Sequence, residues 1–214
     1  MLTLFKHRLQ RGDTLIEVLF AFTILSLVII GAMSIMNQGT LASQRSLETT
    51  LVRQQIDAQA TTLRFLHDAY VAAYQTNVIY PDTTPAGQWQ KIINNLPATS
   101  ASAFDTGSMT CPTSSMLPNG AFIVDGTQAK YVNFTSVKMS PAASYAHVNY
   151  DDKGILLGSE GIWIEGIVSP RTGSDGTASN AGFIDFHINA CWQNPGQGPV
   201  MTIGTIVRLY EPRG

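Results

Sequence analysis

The chain has 214 residues, 44% of them hydrophobic, with 13 Lys and Arg against 15 Asp and Glu and a formal net charge of −2. Beyond an apolar N-terminal segment, that length suffices for one modest core and not obviously for two. The slightly acidic balance argues against a broad nucleic-acid-binding surface, which would need clustered Lys and Arg, and leaves room only for a small local patch.

In chain order, Lys6, His7, Arg8 and Arg11 precede an apolar run from Thr14 to Met36 whose single charged residue is Glu17. About 20 apolar residues are enough to cross a bilayer. The basic flank contains no acidic residue, so the positive-inside rule keeps the N-terminus cytoplasmic and sends everything after Met36 outward. A carboxylate at membrane depth costs about 2.5–3.5 kcal/mol even on a lenient scale, which marks Glu17 as functional and in need of a partner. No basic residue falls between Thr14 and Met36. The cation must come from outside the segment, and an α-amine freed by a cut after Gly12 is the nearest source in sequence. A secretory signal peptide would have a shorter apolar core followed by an A-x-A-like site, and neither is evident. A plain single-pass anchor explains the span but leaves Glu17 and the Gly12 junction to chance.

The stretch Arg11-Gly12-Asp13-Thr14-Leu15-Ile16-Glu17-Val18 resembles the prepilin processing site of type IV pilins and pseudopilins. The resemblance implies that a prepilin peptidase removes residues 1–12, that the new N-terminus at Asp13 is methylated, and that Glu17, fifth after the cut, pairs with a neighbouring subunit's N-terminus. It also implies a layout: a leader over 1–12, a transmembrane and assembly half of a long helix over 13–36, an amphipathic half over 37–74, and a globular head over 75–214. Two departures from the family pattern stand out. The first mature residue is Asp13 rather than a bulky apolar one, and no proline falls late in the apolar run, where Gly31 is the only weak point. Loss of Lys6, Arg8 and Arg11 with the leader takes the net charge from −2 to −5.

From Asn37 to Tyr74 there is no proline, and Leu47, Leu51, Ile56, Leu63, Leu66, Tyr70 and Ala73 recur at helical steps. This predicts an amphipathic continuation of the apolar helix, with Arg53 and Asp57, and Arg64 and Asp68, at i,i+4 spacing. One helix from Thr14 to Tyr74 would be about 90 Å long, so its outer half must pack on the downstream sheet. The segment from Pro81 to Gly120 is irregular. Within it Gln88 to Leu96 reads as a short amphipathic helix ended by Pro97, and Ala98 to Ser102 and Thr106 to Gly120 read as surface connection.

From Ala121 the period becomes two. Ala121 to Val124, Tyr131 to Val137, Ala146 to Tyr150, Gly161 to Val168, Phe183 to Cys191 and Thr202 to Tyr210 read as strands bounded by turn residues. Six strands after one helix predict an α+β fold, a long N-terminal helix packed against an antiparallel sheet. Ser169 to Gly182, rich in Gly, Ser, Thr and Asn, reads as a long hairpin tip.

Cys111 and Cys191 are the two cysteines. Export would place both in an oxidising setting, where the even count favours a disulfide over two separate thiols. Such a bridge would contribute on the order of 4 kcal/mol by closing a long loop. The histidines His7, His67, His147 and His187 form no ligand cluster, and His187 alternates within an apolar strand. No phosphate-cradling glycine loop, H-E-x-x-H or G-x-S-x-G elbow is present, so neither catalysis nor a cofactor or metal is expected. Asp151-Asp152-Lys153-Gly154, with Glu160 nearby, departs from any EF-hand spacing and reads as a solvated turn. Glu165 and Asp185 read as charges on the exposed face of the sheet.

The sequence therefore reads as a type IV pilus-like subunit, stored in the membrane, aligned through Glu17 and displaying its head for adhesion or motility. The partners so implied are other pilin subunits, the prepilin peptidase, the inner-membrane assembly machinery and the membrane itself, with a host or surface ligand left unidentified. A pseudopilin of a secretion or DNA-uptake machine would share every N-terminal feature, and a single-pass anchored binding protein would keep its residues 1–12.

Overall fold

The computed structural model describes residues 13–97, 110–168, 182–195 and 199–212. The chain divides into two compact units, Met1–Gln44 and Arg45–Gly214. Helix α1 (Asp13–Ala73) supplies the described part of the first unit and continues into the second.

In the second unit, residues 45–73 of α1 direct Val52, Ile56, Ala60, Leu63 and Leu66 inward. Their three- and four-residue steps form one apolar stripe. Neither Arg53 with Asp57 nor Arg64 with Asp68 closes into an ion pair among the described residues; Asp68 Oδ1 instead lies 3.2 Å from His67 Nδ1.

The stripe packs with a five-stranded antiparallel sheet of order β2-β1-β6-β7-β8, built from β1 (Phe122–Asp125), β2 (Lys130–Asn133), β6 (Ile162–Val168), β7 (Phe183–Trp192) and β8 (Met201–Tyr210). The sheet contributes Phe122, Ile162, Ile164, Ile184, Phe186, Ile188, Val207 and Leu209 to the same core. Helix α2 (Pro85–Asn95) adds Trp89 and Ile92. It starts three residues before the predicted Gln88. Thr84 accepts from Gly87 N–H and Pro85 occupies the first turn, where its missing N–H is harmless.

The α+β class, the long helix and the antiparallel sheet agree with the sequence reading; the strand inventory is larger. A second sheet of order β3-β5-β4 comprises β3 (Lys138–Ser140), β4 (His147–Tyr150) and β5 (Leu156–Glu160), with β3 and β5 parallel. Neither β3 nor β5 shows a readable alternation: β3 is three residues long, and Gly158 and Ser159 of β5 are weak strand formers. Gly158 has a packing reason, since a Cβ there would lie 2.7 Å from the Lys138 carbonyl oxygen. The predicted Tyr131 to Val137 strand stops at Asn133, whose side-chain oxygen accepts from Ser136 N–H, Ser136 Oγ and Thr135 Oγ1 and closes a turn instead.

The two sheets join at Gly161. Its φ of +68° bends β5 into β6, its N–H donates to Ser140 and its carbonyl accepts from Cys191 N–H. A Cβ at this position would lie 2.0 Å from the Cys191 carbonyl oxygen, so only glycine fits. A comparable junction is made by a side chain. β1 pairs with β6 only at Phe122↔Ile164, and beyond that point Gln59 of α1 takes the missing strand's place. Its Nε2 donates to the Val124 carbonyl and its Oε1 accepts from Val124 N–H, both at 2.8 Å, with the residue 3% exposed.

Candidate functional site

Over residues 14–36 the first unit presents an apolar helix surface with one carboxylate on it. Leu15, Phe20, Leu27, Ile30 and Met36 all lie more than 60% exposed. This is the one helix of the described residues that is long and apolar enough to cross a membrane by length and composition. Two of its hydroxyls bond within the helix: Thr23 Oγ1 donates to the Phe20 carbonyl at 2.7 Å and Ser26 Oγ to the Phe22 carbonyl at 2.8 Å. Glu17, one turn from the helix start, is exposed and has no hydrogen bond or ion pair among the described residues. Asp13 opens α1, and Gly12 lies outside the described residues. The helix runs unbroken through Gly31, consistent with the absence of a proline.

Cys111 and Cys191 form a disulfide, with their Cα atoms 5.5 Å apart. It sits on the sheet face opposite α1, in a second buried cluster with Ala121, Met139 and Trp163. The connection that carries Cys111 is also tied to the small sheet, because Ser114 Oγ accepts from Met139 N–H and donates to the Met139 carbonyl. The expected surface connections Ala98 to Ser102 and Thr106 to Gly120 fall partly, and the expected tip Ser169 to Gly182 almost wholly, outside the described residues.

The second layer corrects the reading of Glu165 as an exposed charge. Glu165 is 5% exposed, because β6 is covered on both faces, and it accepts from Trp163 Nε1 and Asn189 Nδ2. Burial pushes its carboxyl above the usual range, opposed by the hydrogen bond from Trp163 and the nearby His187. Trp163, an aromatic two residues away on the supposedly wet face, is the sequence signal for this layer. Asp185 is the simpler case: two 2.7 Å hydrogen bonds from Arg208 hold its carboxyl below the usual range.

The Asp151 turn binds its own backbone. Asp151 Oδ1 accepts from Lys153 and Ile155 N–H, Gly154 takes φ +75°, and Glu160 accepts from Asn149 instead of joining the turn. His67 Nε2 contacts the Tyr210 carbonyl, His147 stacks on Tyr145, and His187 lies opposite Glu165 in the ladder. Among the described residues no group of three or more His, Cys, Asp or Glu could hold a metal ion. A shallow groove of about 660 Å³, open to solvent, runs between Gln54, Gln55 and Thr62 of α1 and Gly126, Thr127 and Tyr150, with no nucleophile–base pair in it.

The chemistry on offer is thus at the N-terminus. Residues 7–33 match the model of the prokaryotic N-terminal methylation motif, which brackets Gly12, Asp13 and Glu17. No curated protein and no solved structure matches the chain. The motif implies processing by a prepilin peptidase, assembly with other pilin subunits and anchoring in the membrane before assembly. Together with the long apolar helix that carries it, the motif supports reading the chain as a type IV pilin-like prepilin.

Proposed function

We propose that this chain is a structural subunit of a type IV pilus-like filament, cut between Gly12 and Asp13, N-methylated, and assembled through residues 13–36 while residues 75–214 are displayed outside the cell for adhesion or motility. The observation that carries the reading is Glu17, a carboxylate without a partner among the described residues on a helix surface of exposed leucine, isoleucine, valine and phenylalanine. Such a surface is stable in lipid or among other helices of its kind. A buried carboxylate, expensive alone, becomes a register device once paired, and the α-amine of a neighbouring subunit's Asp13 has the right charge. The leader's Lys6, Arg8 and Arg11 hold the N-terminus inside until the cut.

Two measurements test this. Intact mass and N-terminal sequencing of the protein in a sheared cell-surface fraction should give a chain beginning at Asp13. A chain that still begins at Met1 and stays in the membrane pellet would instead mark a single-pass anchor. Glu17→Ala should leave the protein in the membrane and absent from filaments, and normal incorporation of that variant would refute the pairing. Processed chain confined to the envelope, without extended fibres, would assign it to a pseudopilus.

A further inference from the structure

The two edges of the five-stranded sheet are finished differently. At β2 the Tyr131 N–H is taken by Gln88 Oε1 of α2 at 2.9 Å, so a helix closes that edge. Among the described residues β8 has no strand on its outer side. The ladder fixes which of its groups face that way. Cys191 N–H donates to Gly161 and Glu211 N–H to Gly182, so odd-numbered residues of β7 turn toward β6 and even-numbered ones toward β8. In β8 the groups facing outward are therefore those of Thr202, Gly204, Ile206, Arg208 and Tyr210. The Tyr210 carbonyl accepts from His67 Nε2 at 2.9 Å. The outward backbone groups of Thr202, Gly204, Ile206 and Arg208 have no partner among the described residues.

Open edges are normally blunted by lysine, proline or a bulge. β8 has none of these over ten residues in unbroken register with β7. Its one charge, Arg208, is drawn back onto Asp185 and over the Phe183 ring, 4.0 Å from the centroid. Ile206 stands 59% exposed on the face away from the α1 core, in line with Gly204, which has no side chain.

We propose that β8 is a docking strand for a second copy of this chain, the two β8 strands pairing antiparallel about Thr205. In this register Thr202 pairs with Arg208 and Gly204 with Ile206, each twice. All four unsatisfied residues are used, and Tyr210 keeps its contact with His67. The same register sets each exposed Ile206 across from the partner's Gly204, so a projecting apolar side chain meets a bare backbone twice, as a twofold contact requires. Seven paired residues at about 3.4 Å each give a contact roughly 24 Å long. That strip falls well short of the roughly 800 Å² per partner of a standard stable interface, so single chains associate weakly and arrayed heads strongly. The twofold axis is normal to the sheet and reverses the part of α1 lying on it. The pairing therefore links oppositely directed heads, which on filaments would belong to separate fibres; that consequence and the strengthening by arrayed heads rest on the filament reading.

The test uses the full chain in detergent, where no filament is needed. Thr205→Cys, mildly oxidised, should give a covalent dimer on a non-reducing gel, with a yield that rises with protein concentration and exceeds several-fold that of the exposed control Asp152→Cys. Adding Ile206→Pro should return the yield to the control level. The Ile206 N–H faces outward, so this proline removes no bond to β7, and unchanged tryptophan emission would verify the fold. Dimer no more abundant than in the control, dimer that survives the proline in a folded chain, or cross-linking in cells to a different protein would each overturn self-pairing.

Discussion

Gln59→Leu would probe the contact that joins α1 to the sheet by hydrogen bonds rather than by apolar packing. Gln59 satisfies both the N–H and the C=O of Val124, two bonds of 2.8 Å in a position 3% exposed. Leucine nearly matches the glutamine volume, so little cavity opens, but two buried backbone groups lose their only partner at roughly 1–3 kcal/mol each. The expected loss is about 2–6 kcal/mol, a large share of the 5–15 kcal/mol that holds a typical domain together. Urea unfolding of the full chain in detergent, followed by the emission of the buried Trp89, Trp163 and Trp192, reads it directly. Gln54→Leu, an exposed change on the same helix, serves as the control and should move stability by no more than about 0.5 kcal/mol. Gln59→Glu should be worse than leucine at neutral pH, because it sets a carboxylate against the Val124 carbonyl, and should recover in acid. A Gln59→Leu chain as stable as the control would refute the view that this amide replaces a strand.

Replacing both Cys111 and Cys191 by alanine frees a loop with a sequence separation of 80, and denaturant unfolding should show a loss of about 4 kcal/mol. Gly161→Ala drives a Cβ to 2.0 Å from the Cys191 carbonyl oxygen at positive φ, so the variant should lose about 3 kcal/mol or more, or fail to yield folded protein by circular dichroism. Asp185 is held below its ordinary value by Arg208, so its contribution is full above the unfolded pKa of about 4 and is lost as pH falls through the lower folded value; Asp185→Asn should remove that loss from thermal melts in acid. Glu165 has the opposite sign: burial raises its folded pKa, so stability falls as pH rises from the unfolded value toward the raised folded one and acidification restores it, and Glu165→Gln should flatten that part of the melting profile.

The long helix and the larger strands were legible because each has one face with one job. Ile56, Leu63 and Leu66 recur at helical steps and are buried as expected, whereas the expected Leu47 is 63% exposed, Ala73 is exposed and Val52 rather than Leu51 is fully buried; β7 alternates intermediate and buried residues along almost its whole length. Legibility failed where a residue serves a second layer. β6 is buried on both faces, so the rule that puts apolar residues in and charges out misplaced Glu165, although Trp163 beside it broke the same rule. It failed again where backbone is satisfied by side chains. Gln59 and Gln88 look like ordinary polar helix residues, and only the structure reveals that one fills a gap beside β1 and the other closes the β2 edge. The short strands β3 and β5 exist because Gly158 admits the Lys138 carbonyl, a contact distant in sequence.

The apolar helix of the N-terminal half was legible from its uninterrupted run of apolar residues, and its single carboxylate at Glu17 raises a separate question of charge. Thr23 and Ser26 bond to carbonyls one turn back, and need nothing from outside the helix. A carboxylate has no such recourse, because it only accepts and the helix N–H groups beyond the first turn are already committed to the ladder. The described residues hold no cation for Glu17, and residues 14–36 contain no basic side chain, so a partner must come from residues 1–12, from a chain terminus or from another molecule. On the proposed reading one covalent step supplies it: the cut after Gly12 removes three positive side chains that keep the N-terminus on the cytoplasmic side and exposes one α-amine at the depth of a neighbour's Glu17. Methylation would leave that amine basic, so Glu17→Gln, which keeps the shape and removes the charge, should block assembly nearly as fully as Glu17→Ala. Filaments of normal abundance in the glutamine variant would show that packing, not charge, sets the register.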